Sequence, residues 1–97
     1  MENRRSSLEI MHEILDAARS GGRDGAPKTK IMYGAYLSSA QLKGYLKVLT
    51  GNGLLNYDQV RQTFKITQKG LRFLKIYNEM EGTMVRKVEG QYHHHQQ

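Results

Sequence analysis

Apolar residues first recur at helical spacing near the start of the chain. Five of them fall on one stripe of a helix with about 3.6 residues per turn: Leu8, Met11, Ile14, Leu15 and Ala18. Ser6 and Glu9 stand three residues apart, which is the spacing of a capping box at a helix start. The pattern predicts a first helix over about residues 7–20. The glycines that follow it, closed by Pro27, predict a flexible connection.

Two further helices are predicted, joined by a tight turn. Thr29 can cap the first of them, and the chain turns at residues 34–37. Ser38 and Gln41 form a second capping box, which opens a third helix that continues to about Thr50. The glycine-rich stretch after Thr50 is a strong stop signal. Two short helices around a tight turn form a helix-turn-helix arrangement.

The third helix has one apolar face and one basic face. Its apolar stripe consists of Leu42, Tyr45, Leu46 and Leu49. The opposite side carries Gln41, Lys43, Gly44 and Lys47 and no carboxylate. Phosphates and base edges favour such a face, although an ordinary solvated helix face can have the same composition. We expect Gly44 to permit close approach of the backbone, either to DNA or to Tyr33 or Tyr36.

The hydrophobic period changes from 3.6 to 2 after the third helix. Two short strands are predicted at residues 54–57 and 63–66, with a polar hairpin tip at 58–62. Arg61 at this tip is placed to reach a phosphate or a minor groove, or it is a solvated loop arginine. Thr67 then caps a final helix. The order helix, helix, helix, hairpin, helix predicts a mainly helical α+β fold, a winged helix-turn-helix with a short β-hairpin wing and an added C-terminal helix.

Four segments are predicted from these elements. We expect a disordered N-terminus at residues 1–5, the winged helix-turn-helix domain at 6–67, a C-terminal dimerisation helix at 68–89, and a disordered tail at 90–97.

Positive charge is concentrated in the middle of the chain. The protein has 97 residues, 15 of them basic and nine acidic, for a net charge of +6. Residues 17–78 hold eleven basic and two acidic residues, a net +9, whereas the two ends together hold four basic and seven acidic, a net −3. This concentration indicates a polyanionic partner, and double-stranded DNA fits best. A membrane is not expected, because no apolar run approaches the ~20 residues that a span needs.

Several sequence blocks resemble a known family. The run TKIMYGAYLSSAQLKGYL, followed by LTGNGLL, a short hairpin and KITQKGLRFLKIY, is similar to the archaeal winged-helix DNA-binding proteins, including small basic nucleoid-associated ones. The resemblance covers about residues 6–80, and TKIMYGA, GLL and T-x-K-G are its most specific blocks. It implies a dimeric DNA binder from an archaeon, in which the third helix and the wing contact DNA and the helix after the wing pairs in an antiparallel coiled coil. The chain departs from the family in two ways: Arg61 is the only cation of a short wing, and the final helix is shorter than a long coiled coil needs.

The final helix contains an approximate heptad seam. Its predicted dimerisation residues are Phe73, Leu74, Tyr77, Met80, Met84 and Val88. Gly82 interrupts this seam at a cost of about 1 kcal/mol. Alternatively, Leu71, Leu74 and Tyr77 pack on their own domain and the chain frays past Gly82.

The basic faces suggest how DNA is bound. We expect the N-terminal half of the third helix to enter the major groove, where Ser39 and Gln41 reach base edges. Gln41 is also the capping-box partner of Ser38, so it is not necessarily free for both roles. The predicted DNA-binding residues are Lys28, Lys30, Ser38, Ser39, Gln41, Lys43, Lys47, Arg61, Lys65 and Lys69.

Other chemistry is not expected. The chain has no cysteine, and the consecutive residues His93–His95 look like a tail rather than a metal site. No cofactor, no small-molecule substrate and no enzymatic activity are predicted, because the acidic residues are scattered and no glycine-rich phosphate loop follows a strand. No apolar segment follows the N-terminal arginines, so a cytoplasmic protein at the nucleoid is expected. A homodimeric transcriptional regulator is slightly favoured over a nucleoid protein without sequence preference, and a winged-helix module that binds another protein remains a third reading.

Overall fold

Four helices and three short strands make up the protein. In the computed structural model of the chain, the backbone is described for residues 5–92 and the side chains for residues 5–82. The elements are α1 (Ser7–Arg19), β1 (Ala26–Pro27), α2 (Lys28–Gly34), α3 (Ser39–Gly51), β2 (Leu55–Asp58), β3 (Thr63–Ile66) and α4 (Gln68–Tyr92), with one 3-10 turn at Gly22–Asp24 between α1 and β1. The predicted mainly helical α+β class is confirmed.

Both predicted capping boxes are present. At the start of α1, the Ser6 hydroxyl accepts a hydrogen bond from the Glu9 backbone N–H at 3.1 Å, and the Glu9 carboxylate accepts one from the Ser6 N–H at 2.8 Å. At the start of α3, Ser38 and Gln41 repeat the arrangement with distances of 3.1 and 2.9 Å. Each box satisfies two backbone donors that the first helical turn leaves without partners, so both helix starts are set locally.

The start of α2 differs from the prediction. Thr29 was expected to be its N-cap, but the helix begins at Lys28 with Pro27 at the N-cap position, and no side-chain capping bond is present there in the described part of the chain. The extended Pro27 (φ −71°, ψ 159°) is the last residue of β1, so the strand leads directly into the helix. Proline suits this boundary because its φ is already fixed near the helical value and it has no N–H that needs a partner.

The sheet contains a strand that the sequence did not predict. Its order is β1-β3-β2, and both pairings are antiparallel. In the register, Phe64 lies opposite Tyr57 on one side and opposite Ala26 on the other. The first hairpin strand is also shifted by one residue from the predicted 54–57, because Leu54 bonds instead to the end of α3: its N–H donates to the Leu49 carbonyl at 2.9 Å.

The core lies where α1, α2, α3 and the sheet meet. Its fully buried large side chains are Ile14, Leu15, Ile31, Leu42, Leu49 and Leu55. Among the described side chains, none that is buried is polar or charged. The predicted apolar faces of α1 and α3 are therefore confirmed as core-forming except at Leu8, which is 44% exposed, and the polar face of α3 is left to solvent.

The long helix α4 packs its first half against α1 and continues beyond the predicted limits. Leu74 is only 4% exposed and belongs to the core. The His12 ring stacks on Tyr77 with ring centroids 4.3 Å apart, and His12 Nε2 lies 3.0 Å from Asn78 Oδ1, so His12 links α1 to α4. The helix continues past Gly82 to Tyr92, three residues beyond the expected end at residue 89.

Two kinds of feature are not found among the described residues. No helix among them combines the length and the apolar character that crossing a bilayer requires. No group of three or more histidine, cysteine, aspartate or glutamate side chains within the described range is arranged to hold a metal ion. The run His93–His95 lies outside the described residues.

Candidate nucleic-acid interface

The exposed side of α3 matches the predicted basic face. Ser39, Gln41, Lys43 and Lys47 are all exposed: the two lysines lie on the side away from Leu42 and its buried neighbours, and Ser39 and Gln41 belong to the first turn of the helix. Around Gly44 the surface is open: no described heavy atom lies within 4 Å of the position that a Cβ would occupy. Close packing against a tyrosine of the protein, one of the two explanations offered for this glycine, is therefore wrong.

Gln41 has less freedom than a base-reading amide needs. Its Oε1 accepts the Ser38 backbone N–H at 2.9 Å as part of the capping box. Bidentate recognition of adenine requires both the amide oxygen and the amide nitrogen. With the capping box intact, Oε1 keeps one lone pair, but its position is set by the bond to Ser38, so Gln41 is not free to turn its oxygen and its nitrogen together towards a base edge.

The turn between α2 and α3 is held by a residue that the sequence reading had assigned to a disordered terminus. The Arg5 guanidinium donates to the Ala35 carbonyl at 2.6 Å and to the Tyr36 carbonyl at 3.1 Å, and it pairs with the Glu13 carboxylate. Tyr36 adopts a left-handed conformation (φ 55°), which a bulky side chain rarely takes. Arg5 thus satisfies carbonyls at the end of α2 and stabilises an uncommon turn at Tyr36, a residue that is 82% exposed. Nothing in the local sequence signals the two bonds to this turn, because the accepting carbonyls are 30 and 31 residues away.

The predicted phosphate-binding lysines are distributed over several elements of the fold. Lys28 and Lys30 are exposed in the first turn of α2, and Lys65 is half-buried on β3. Lys69 has a structural contact: its ammonium donates to the Asn52 carbonyl at 2.8 Å, beside the last turn of α3. Since α3 has 13 residues and is about 18 Å long, Lys69 lies far from the N-terminal half of that helix.

Carboxylates shape the tip of the wing and pair with its cation. The Asp58 carboxylate accepts the backbone N–H groups of Arg61 and Val60, both at 3.1 Å. These bonds, the one from Arg61 foremost, hold the pKa of Asp58 below its ordinary value. The Arg61 guanidinium lies 3.5 Å from the carboxylates of both Asp24 and Asp58 and is still about half exposed. A phosphate would therefore have to compete with two carboxylates for Arg61.

Thr67 and Gly70 give the T-x-K-G block a structural explanation. The Thr67 hydroxyl donates to the Gly53 carbonyl at 2.6 Å and accepts the Gly70 N–H at 3.0 Å, which ties the start of α4 to the loop after α3. A Cβ on Gly70 would stand only 2.5 Å from the Leu54 carbonyl oxygen. Together with the contact from Lys69 to Asn52, these residues fix α4 against the end of α3.

The residues expected to form a dimer seam have different environments. Leu74 lies in the hydrophobic core of its own protomer, Phe73 is partly buried, and Tyr77 stacks on His12. Met80 is 52% exposed, and Ile76, which the seam did not include, is 56% exposed. The side chains of Met84 and Val88 fall outside the described ones. An open cleft of about 550 Å³ borders this surface, lined by Met11, Val48, Asn52, Leu54, Lys69, Arg72, Phe73 and Ile76.

Comparisons with known proteins agree with the architecture. A family profile described as winged helix-turn-helix matches residues 4–85. The chain is similar to the crystal structure of Sso10a-2, a DNA-binding protein from Sulfolobus solfataricus, with a TM-score of 0.71, 24% sequence identity, and coverage of 91% of this chain and 90% of that chain. No curated protein matches the sequence significantly. The resemblance to archaeal winged-helix proteins is confirmed by these matches, and the chain belongs to the winged helix-turn-helix family.

Proposed function

We propose that the protein binds double-stranded DNA through α3 and the wing, as a homodimeric transcriptional regulator. The exposed face of α3 carries the proposal: Lys43 and Lys47 flank the open surface at Gly44, and the helix contains no carboxylate. The Sulfolobus protein of the same fold is itself described as DNA-binding. A helix inserted in the major groove by its N-terminal half would bring Ser39 to the base edges and the two lysines to the flanking phosphates.

The remaining basic residues would hold the backbone of the duplex. Lys28 and Lys30 extend the positive surface from the first turn of α2. Arg61 would exchange its two carboxylate partners for a phosphate, an exchange that is inexpensive because exposed ion pairs at 3.5 Å contribute little. Lys69 would lose its contact with the Asn52 carbonyl if it turned to a phosphate, so it contributes least to this surface.

Salt dependence tests the DNA-binding proposal. Affinity for a duplex is measured by fluorescence anisotropy at several salt concentrations for the wild type and for the double variant Lys43→Gln/Lys47→Gln. The slope of log K against log salt should fall by about 0.9 for each phosphate contact removed. Lys75→Gln, which removes an exposed cation of α4, is the matched control and should leave the slope unchanged. Equal slopes for the double variant and the wild type would contradict a role for α3.

The homodimer is proposed on the exposed apolar residues of α4. Ile76 and Met80 are four residues apart, so they share one face of the helix, and both are more than half exposed. A second copy of α4 packed on this face would remove them from water. Light scattering of the variant Ile76→Asp/Met80→Asp should give a monomer mass where the wild type gives a dimer mass. Glu79→Gln, on the same helix, should leave the dimer intact, and a wild-type monomer at micromolar concentration would end the proposal.

One observation favours the alternative of an architectural DNA-binding protein. With the Gln41 oxygen engaged by Ser38, α3 offers few groups that can distinguish one base pair from another. Competition separates the two roles. A regulator's complex with its own promoter should survive a large excess of random DNA, whereas an architectural protein's complex should not.

A further inference from the structure

A cleft between the wing and the start of α2 has the chemistry of a nucleotide site. It has a volume of about 480 Å³, within the range of small-ligand pockets. Its lining consists of Pro27, Lys28, Thr29, Tyr57, Gln62 and Phe64. One side is therefore supplied by the inner face of the hairpin and the other by the first residues of α2.

The hairpin side of the cleft is formed by two aromatic rings, one of which packs against the core. Tyr57 and Phe64 are direct neighbours in the register of β2 and β3, with ring centroids 4.8 Å apart and ring planes inclined by 48°. Phe64 packs partly buried against the core, whereas Tyr57 remains 49% exposed. A half-exposed ring that a second ring holds in place is a suitable platform for stacking a nucleobase.

The polar groups of the cleft complement the rest of a nucleotide. Lys28 supplies a cation for a phosphate, and Thr29 supplies a hydroxyl that can donate or accept a hydrogen bond. Gln62 supplies an amide, the group that can pair with a base edge through a donor and an acceptor together. Its backbone is held in the left-handed region at φ 56°, which fixes the point from which the side chain leaves the wing.

We infer that this cleft binds a single unpaired nucleotide, with its base stacked on Tyr57 and its phosphate at Lys28. The inference rests on the proposed DNA-binding function, because both sides of the cleft belong to elements assigned there to DNA. A paired base inside a duplex shows only its edges, since its two faces are covered by its neighbours in the stack. The occupant is therefore a nucleotide whose base lies outside a duplex stack, either within a strand or free in solution. Within a strand, it gives the protein a preference for DNA that contains an unpaired base.

Two duplexes of identical sequence test this preference, one fully paired and one with a single unpaired thymine. Fluorescence anisotropy should show that the wild type binds the bulged duplex about tenfold more tightly, the size expected for stacking one base on an aromatic side chain. Tyr57→Leu should abolish the preference and leave affinity for the paired duplex unchanged, and Tyr57→Phe should retain it. Tyr33→Leu is the matched control, because Tyr33 is 73% exposed but does not line the cleft.

A second arm separates a nucleotide within a strand from a free one. Thymidine monophosphate alone is titrated against the wild type, Tyr57→Leu and Lys28→Gln, with binding followed by NMR shifts of the residues that line the cleft. Binding that both substitutions weaken, without any preference for the bulged duplex, identifies the free nucleotide as the source and supports the cleft. An equal loss of affinity for both duplexes in Tyr57→Leu, or no binding of the monophosphate together with no preference for the bulge, overturns the inference.

The two arms also keep this inference distinct from the proposed function. If the protein binds neither duplex, the DNA-binding proposal fails, and the inferred preference for DNA fails with it. If it binds both duplexes equally and does not bind the monophosphate, only the inference about the cleft fails. Thermal unfolding of Tyr57→Phe and Tyr57→Leu shows whether each variant is folded when its binding is measured.

Discussion

Replacing Gly44 by alanine should stabilise the protein and weaken its binding to DNA. Gly44 lies inside α3, and no described heavy atom stands within 4 Å of the position of an added Cβ, so the methyl group meets no obstacle within the protein. Glycine in a helix interior costs about 1 kcal/mol relative to alanine. The variant should gain roughly that amount in free energy of unfolding, a rise in Tm of about 4–8 °C for a domain of this size. Circular dichroism during heating measures the change.

The same methyl group stands on the face that is proposed to meet DNA. It would hold the α3 backbone away from the duplex between Lys43 and Lys47, and losing one charge-assisted hydrogen bond there weakens binding by about tenfold. Anisotropy titration of the variant and the wild type with one duplex measures this change. Stability and affinity should therefore move in opposite directions.

Gly82→Ala is the matched control for this substitution. Gly82 also lies inside a helix, and its Cβ position is likewise open to 4 Å among the described residues. Its replacement should stabilise α4 without changing affinity for DNA. If Gly44→Ala binds DNA as tightly as Gly82→Ala does, close approach of the α3 backbone is refuted. If Gly44→Ala lowers the Tm, the reasoning from open space and helix propensity is refuted instead.

Two other substitutions test the packing of α4 and the shape of the wing. Gly70→Ala should destabilise the protein by about 1–3 kcal/mol, because the new Cβ would stand 2.5 Å from the Leu54 carbonyl oxygen and 2.6 Å from Ile66 Cγ1. Chemical denaturation measures the loss of stability, and an unchanged unfolding midpoint would contradict the close contact. The pKa of Asp58 is lowered in the folded state, so its contribution to stability is present at neutral pH and is lost as the pH falls below about 4 through the folded pKa. Asp58→Asn should reduce this loss of stability in acid, which unfolding curves recorded from pH 7 to pH 2 measure. An identical dependence of stability on pH in the two proteins would show that the bonds from Arg61 and Val60 do not contribute to stability.

The features that the sequence predicted correctly are those that depend on near neighbours. The capping boxes at Ser6 and Ser38 each need only a residue three positions later, and both are present. The apolar stripe of α3 is equally local, since its spacing alone determines which face Leu42 presents to the core. These short-range rules were sufficient to predict the winged helix-turn-helix, including its hairpin.

The features that the sequence did not predict depend on distant partners. The strand β1 is formed by the pairing of Ala26 with Phe64 across the sheet. Because Pro27 ends this strand, α2 begins at Lys28, one residue before Thr29. The position of Leu74 in the sequence fits a heptad seam and a core position equally well. Only the packing of α4 against the rest of the domain shows that Leu74 lies in the core. Likewise, the sequence placed Arg61 at the wing tip, in reach of a phosphate or of solvent, but the folded wing brings Asp24 and Asp58 to its guanidinium.

The contact between Arg5 and the α2–α3 turn couples two parts of the protein thermodynamically. Any partner or modification that draws residue 5 away removes the donors that hold the Ala35 and Tyr36 carbonyls, and so shifts the equilibrium of the turn. Coupling of this kind is reciprocal. A ligand that binds only the ordered turn therefore also favours the Arg5 contact, so a change at residue 5 alters the turn that leads into α3 without touching the exposed face of that helix.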